Sequence, residues 1–341
     1  METLEFLLRR IPPILLKRIS LGYFPKFSIE FFIVTKHRHK QLQNIIGKGK
    51  YHCLHIFRLY MAPLVFPLSI TSKKMTIQLD LDDLDYDYHM QLSEYYGHRG
   101  LSQQKRRHGF EAQYYFDLEQ KIIPFCSRLF VTSEKDQILF ATRHPESNVS
   151  VLPNIAPLAN LSQKQHIRQS KKLLFIGSLG YLPNLDGLKF FIEDVWPLVK
   201  KVIPDCRLVV AGRGLPKIWQ NRLGQDCSVE YLGEVETVDD VYHQANASII
   251  PIRLGGGTRI KALEAFDRSC PVISTCQGVY GLDVEHNKHL LVADETTEFA
   301  RACCKILTDD KLVTELTTHA FQFVKEYYTI ERLTEILKRC G

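Results

Sequence analysis

From position 172 onward, short and almost wholly apolar runs alternate with stretches of helical spacing, an order that few folds accept. Residues 172–178, 206–212, 229–234, 247–252, 270–276 and 289–294 are predicted strands. Residues 185–203 place Leu188, Phe191, Ile192, Val195, Leu198, Val199 and Val202 at helical intervals, residues 258–268 read as a further helix, and residues 297–339 as three more. A strand that is apolar on both faces must be covered on both, so the predicted fold is α/β with a parallel sheet. The first half repeats the theme less cleanly, with predicted strands at 31–35, 53–57, 76–81, 128–133 and 149–152 and a helix at 104–123.

The polar stretch 155–171 lacks periodicity and reads as a linker. At 341 residues the chain is then expected to form two doubly wound parallel-sheet domains, 1–160 and 171–341, facing across a cleft, with the last helices packed near it. Open parallel sheets bind ligands beyond the carboxyl ends of their strands, so loops that follow strands are where chemistry is expected.

Charge narrows the partners. The formal charge is +6, but residues 1–60 hold 11 Lys/Arg against 3 Asp/Glu, a net +8, and the other 281 residues carry −2. A nucleic-acid protein carries its basic excess through the binding domain, so nucleic acid is not expected as a partner. The basic N-terminus predicts either peripheral contact with an anionic membrane or a solvated helix face. Its apolar residues are interrupted by Arg9, Arg10, Lys17 and Arg18 and broken by Pro12 and Pro13, which fits neither a signal peptide nor a membrane span. Nine cysteines without a C-x-x-C pair read as reduced, mostly core thiols of a cytoplasmic protein.

Among the loops, the most informative follows the strand ending at Ile252. Gly255, Gly256 and Gly257 let backbone approach a ligand closely, and Thr258, Arg259 and Lys261 lead into a helix carrying Glu264. Helix N-terminal amides and two cations suit a diphosphate, and a carboxylate one turn in can accept from a ribose diol. Gly177, Ser178 and Gly180 form a second strand-to-helix loop that serves either a phosphate or tight chain reversal, and Gly278 and Gly281 lie in a third. In the first half, five aspartates between Asp80 and Asp87 can hold Mg²⁺ or Mn²⁺, supply a base to a hydroxyl, or merely face water. His52, His55 and His89 lie near strand ends, none with a ligand-like partner at fixed spacing.

The run GGGTRIKALEAFDRSCPVISTCQGVYGL at 255–282 is similar to the donor-binding core of the group 1 glycosyltransferases, glycosyltransferase family 4, built from two Rossmann-like domains in the GT-B arrangement. FIGSLGYLPNLDGLKFF at 175–191, VVAGRG at 209–214, LFVTSEKD at 129–136 and VLPN at 151–154 resemble the same family, so the likeness spans about 128–335. HIFRLYMAPL at 55–64 and TIQLDLDD at 76–83 resemble the N-terminal domain of one subgroup less distinctively.

The resemblance implies a retaining, metal-independent transferase that moves a sugar from a nucleotide diphosphate sugar to a hydroxyl of a glycan, lipid-linked or small-molecule acceptor, with no cofactor. Glu264 matches the second glutamate of the family's pair, which binds ribose, whereas Gly256 stands where many members carry the first. The family's basic pair near the first strand of this domain is replaced by Ser178 and Asn184, for which Arg259 and Lys261 are the expected substitutes. The family's opening strand and glycine-rich loop have no match before Gly22, so that unit is expected to be missing or rebuilt. On the acceptor side, Asp82, Asp83 or His89 would orient the hydroxyl. The rival readings are a catalytically degenerate nucleotide- or glycan-binding relative or partner subunit, and a metal-dependent transferase using the Asp82 and Asp83 region.

Overall fold

A computed structural model describes residues 36–48, 51–69, 75–156 and 171–340. The predicted strand at 31–35, the basic residues 1–35 and most of the predicted linker lie outside them. Chain contacts define two compact units, residues 1–131 with 137–150, and residues 132–136 with 151–341.

The first unit holds helices α1 (Lys36–Lys48) and α2 (Ala62–Ser69) and the strands β1 (Cys53–Phe57), β2 (Thr76–Asp80), β3 (Arg128–Val131) and β4 (Val149–Val151), which neighbour one another in chain order. β1 pairs with β2 and β2 with β3, both parallel. Helices α3 (Asp85–His98) and α4 (Ser102–Ile122) lie between β2 and β3 in sequence, and α5 (Glu134–Arg143) follows β3. A left-handed Gly100, φ 70°, ends α3 with the Leu101 amide donating back to the Tyr96 carbonyl at 3.0 Å. So short a turn folds α4 back along α3, and the Ser93 hydroxyl donates across to the Lys105 carbonyl at 3.0 Å.

The second unit is a six-stranded parallel sheet. Its strands are β5 (Lys172–Ile176), β6 (Arg207–Ala211), β7 (Val229–Gly233), β8 (Ala247–Ile250), β9 (Val272–Ser274) and β10 (Leu291–Val292), in the order β10-β9-β8-β5-β6-β7. Alternation along the strands divides the core in two. Leu173, Phe175, Leu208, Val210 and Ile249 face one hydrophobic cluster with Phe191, Trp196 and Phe299. Leu174, Ile176, Val209, Ala211 and Ile250 face the other, with Leu263, Phe266 and Tyr242. Each such large side chain stabilises by about 1.5–3 kcal/mol.

Helices α6 (Leu182–Phe190) and α7 (Trp196–Val202) occupy the predicted helix 185–203, joined by a π turn over Phe191–Val195. Pro197 has no amide to continue the ladder, and the Trp196 amide instead reaches the Phe191 carbonyl, five residues back. Helices α8 (Lys217–Leu223), α9 (Val238–Gln244), α10 (Ile260–Asp267), α11 (Thr296–Thr308), α12 (Asp310–Tyr327) and α13 (Ile330–Cys340) complete the chain. The predicted strands 270–276 and 289–294 shorten to β9 and β10, because their flanks turn away from the ladder. No described helix is long and apolar enough to cross a membrane.

The chain runs from β5 outward to β6 and β7, then returns to β8 beside β5 and continues outward the other way. That reversal makes the carboxyl ends of β5 and β8 the switch point, where loops diverge and open a crevice. Beside it the loops after β5 and β6 are zipped together. The Gly177 amide donates to the Ala211 carbonyl at 3.0 Å and the Leu179 amide to the Arg213 carbonyl at 2.7 Å. A side chain at Gly212, φ 135°, would run into the Gly177 backbone, its Cβ 2.8 Å from the carbonyl carbon. Gly212→Ala is therefore expected to lower the unfolding free energy by about 2–4 kcal/mol, read from urea denaturation.

Candidate functional site

Two loops leave the switch point. Gly177–Tyr181 leads from β5 into α6, and residues 251–259 lead from β8 into α10. The second loop turns through left-handed Gly255 and Gly257, φ 98° and 71°. Between them Gly256 faces open space, with no atom within 4 Å of where a Cβ would stand. Arg259, expected to meet a diphosphate, instead folds back along the loop. Its guanidinium donates to the carbonyls of Leu254 at 3.0 Å, Gly255 at 2.8 Å and Gln277 at 3.2 Å. The Gln277 amide also caps the Gly255 carbonyl. At the loop's start Arg253 grips the buried Asp186 at 2.9 Å and lies over the Phe190 ring.

Lys261 reaches from the first turn of α10 to the end of β5. Its ammonium donates to the Asn184 Oδ1 at 2.7 Å and to the Ile176 carbonyl at 3.3 Å, while the Asn184 amide donates to the Ser178 carbonyl at 2.8 Å. A Cβ on Gly177 would stand 3.0 Å from that ammonium. The structure thus brings Gly177, Ser178, Asn184 and Lys261 together, and the lysine's charge arrives from α10 at the position where α6 carries only an amide. Burial foremost, aided by Arg259 and opposed by Glu264, lowers the Lys261 pKa to about 7.

Glu264 stands one turn further along α10 from Lys261, on the same face. Burial raises its pKa, against the pull of Arg268, Lys261 and the Tyr242 hydroxyl. Tyr242 is fully buried, and sequence spacing gave no sign of it as a partner.

In the first unit the aspartates after β2 are answered by cations. Arg58, at the end of the neighbouring β1, contacts Asp82 and bonds Asp83 at 2.7 Å, and Arg143 bonds Asp87 at 2.8 Å. Arg58 and Asp82 both adopt positive φ, 73° and 55°, so the backbone turns sharply to make the contact. The Asp82 and Asp83 carboxylates thus both turn to one guanidinium. His89 is engaged elsewhere, on α3, with His108 and Glu111 of α4. Neither Arg58 nor His108 stands out in sequence, since each meets its partner only through the pairing of elements. Among the described cysteines Cys206, Cys270 and Cys303 are buried, but Cys53, Cys227 and Cys276 are exposed, contrary to a mostly core set.

The buried Lys261 ammonium carries a pH signature. The native group releases its proton near pH 7 and the unfolded one near 10.5, so across that window the unfolded chain binds more protons and stability rises with pH. The stability of the protein minus that of Lys261→Met is expected to climb between about pH 7 and 10 and to be flat below. Urea unfolding across that range measures it.

Residues 170–309 match the family model of the group 1 glycosyl transferases. An uncharacterized 44.6 kDa protein in the cps region of Klebsiella pneumoniae is 26% identical over 216 residues, 60% of this chain and 55% of that protein. Sucrose-phosphate synthase from Thermosynechococcus elongatus superposes with a TM-score of 0.71 at 16% identity, over 93% of this chain and 79% of its own. A variant of S. aureus TarM, solved with fondaparinux, alpha-GlcNAc-glycerol and UDP, gives 0.68 at 17%, over 89% and 57%. Anabaena HepE with UDP-glucose gives 0.62 at 12%, over 89% and 81%. This chain thus spans 55% of the Klebsiella relative and 57% of TarM. With parallel-sheet units of four and six strands and these neighbours, the chain has the GT-B fold, and its residues 170–309 resemble the group 1 glycosyl transferases.

Proposed function

We propose that the chain is a retaining glycosyltransferase that moves a sugar from a nucleoside diphosphate sugar to a hydroxyl acceptor. The observation that carries this reading is the convergence, at the switch point of the six-stranded sheet, of an open glycine loop with the buried ammonium of Lys261. Amides of Gly255–Thr258 and the start of α10 receive the diphosphate, with Gly177 and Ser178 on the facing loop. Lys261 exchanges its bond to Asn184 for the phosphate and balances the charge that grows on the leaving group, which a divalent ion would otherwise do. Arg259 shapes the loop by holding its carbonyls inward, leaving amides for the ligand. Glu264 accepts the ribose diol. The acceptor hydroxyl we assign to the first unit, where Asp82 and Asp83, steadied by Arg58, offer carboxylate oxygens. The family match and the UDP complexes of TarM and HepE support a nucleotide-sugar donor.

Calorimetry with a panel of nucleoside diphosphate sugars tests the donor site. Glu264→Ala removes hydrogen bonds to a charged acceptor worth about 1.5–3 kcal/mol, so affinity is expected to fall roughly 10- to 150-fold. Unchanged affinity sinks the ribose assignment. Gly256→Ala should leave thermal stability unaltered, since its methyl meets no protein atom, yet weaken donor binding because it intrudes on the ligand's space. Donor binding near pH 8 is expected to take up protons as the diphosphate recharges Lys261, seen as buffer-dependent enthalpy, and Lys261→Met abolishes the uptake.

A further inference from the structure

On the α3–α4 hairpin three ligand-type atoms converge. His89 Nδ1 lies 3.0 Å from His108 Nδ1 and 3.0 Å from Glu111 Oε2, and the last two are 3.1 Å apart. A cation about 2.1 Å from three donors set at right angles requires those donors about 3.0 Å apart, the facial arrangement of two histidines and one carboxylate.

Hydrogen bonds alone do not satisfy this triangle. Each imidazole Nδ1 carries at most one proton and the carboxylate oxygen none, so when both nitrogens donate to Glu111 their two N–H groups face each other along the third edge. A cation accepts all three lone pairs at once.

The donors are also held in place. His89 stacks between Tyr115, at 5.4 Å and 11°, and His108, and His108 stacks on Tyr96 at 5.3 Å and 4°. Arg107 bonds the far oxygen of Glu111 through two nitrogens, each at 3.2 Å, which turns Oε2 toward the imidazoles. The three side chains are 15%, 12% and 16% exposed, enough for water to complete the coordination.

We propose that His89, His108 and Glu111 form a binding site for a first-row divalent cation, which clips α3 to α4. Imidazole nitrogens select such ions over Mg²⁺ and Ca²⁺. The site stands apart from the donor chemistry of the second unit, and its occupation makes His89 a metal ligand, not an orienting group for the acceptor.

The full-length protein, stripped with a chelator, is titrated with Co²⁺ and then Zn²⁺. The expected result is one ion per chain and weak visible cobalt bands of nitrogen and oxygen ligation. His108→Ala and Glu111→Gln, folded by circular dichroism, are expected to weaken Zn²⁺ at least ~10-fold and to lose its thermal stabilisation. No stoichiometric ion, binding that survives both substitutions, or a cobalt spectrum dominated by thiolate charge transfer from the exposed cysteines overturns the proposal. The cobalt spectrum of the unaltered protein decides even where a variant fails to fold.

Discussion

The candidate donor site depends on one buried cation held, among the described residues, without a carboxylate in contact. Lys261 gives its ammonium to a backbone carbonyl and to the Asn184 amide oxygen, joining the end of β5 to the start of α10. Neutral acceptors position the charge without cancelling it, and burial brings its pKa to about 7. Such a group has strong affinity for an incoming anion, because the anion restores what burial removed.

Glycine places this cation within reach. Gly177 leaves the space that the ammonium occupies, and Gly212 lets the loops after β5 and β6 close upon each other. Arg259, the basic residue that ends the glycine loop, is engaged by carbonyls of that loop and of Gln277. A guanidinium offers five donors in a plane, and here three carbonyls of the surrounding loops take them. Its charge still lies beside Lys261, where it depresses the lysine's pKa.

In the first unit, charges dense in sequence are paired in space. The run from Asp80 to Asp87 suggests a cation site when read linearly, but Arg58, 25 residues before Asp83, and Arg143, 56 residues after Asp87, draw three of its five carboxylates into ion pairs. The reverse holds for His89, which has no ligand-like neighbour at fixed spacing. The turn at Gly100 carries His108 and Glu111, three apart on one face of α4, to meet it.

What the amino-acid sequence determined by itself is the α/β class, the parallel second sheet, the glycine loop at 255–257 and the helix carrying Lys261 and Glu264. Each is written in local terms: hydrophobic period, glycine at a turn, and charge on one helical face. Only the tertiary structure decided that Lys261 meets Asn184, that Arg259 turns inward, that Tyr242 lies beside Glu264, and that His89 belongs with His108 and Glu111. These are contacts between segments from 19 to 77 residues apart, or choices among several acceptors within reach, and strand order and helix packing settle them where local pattern is silent.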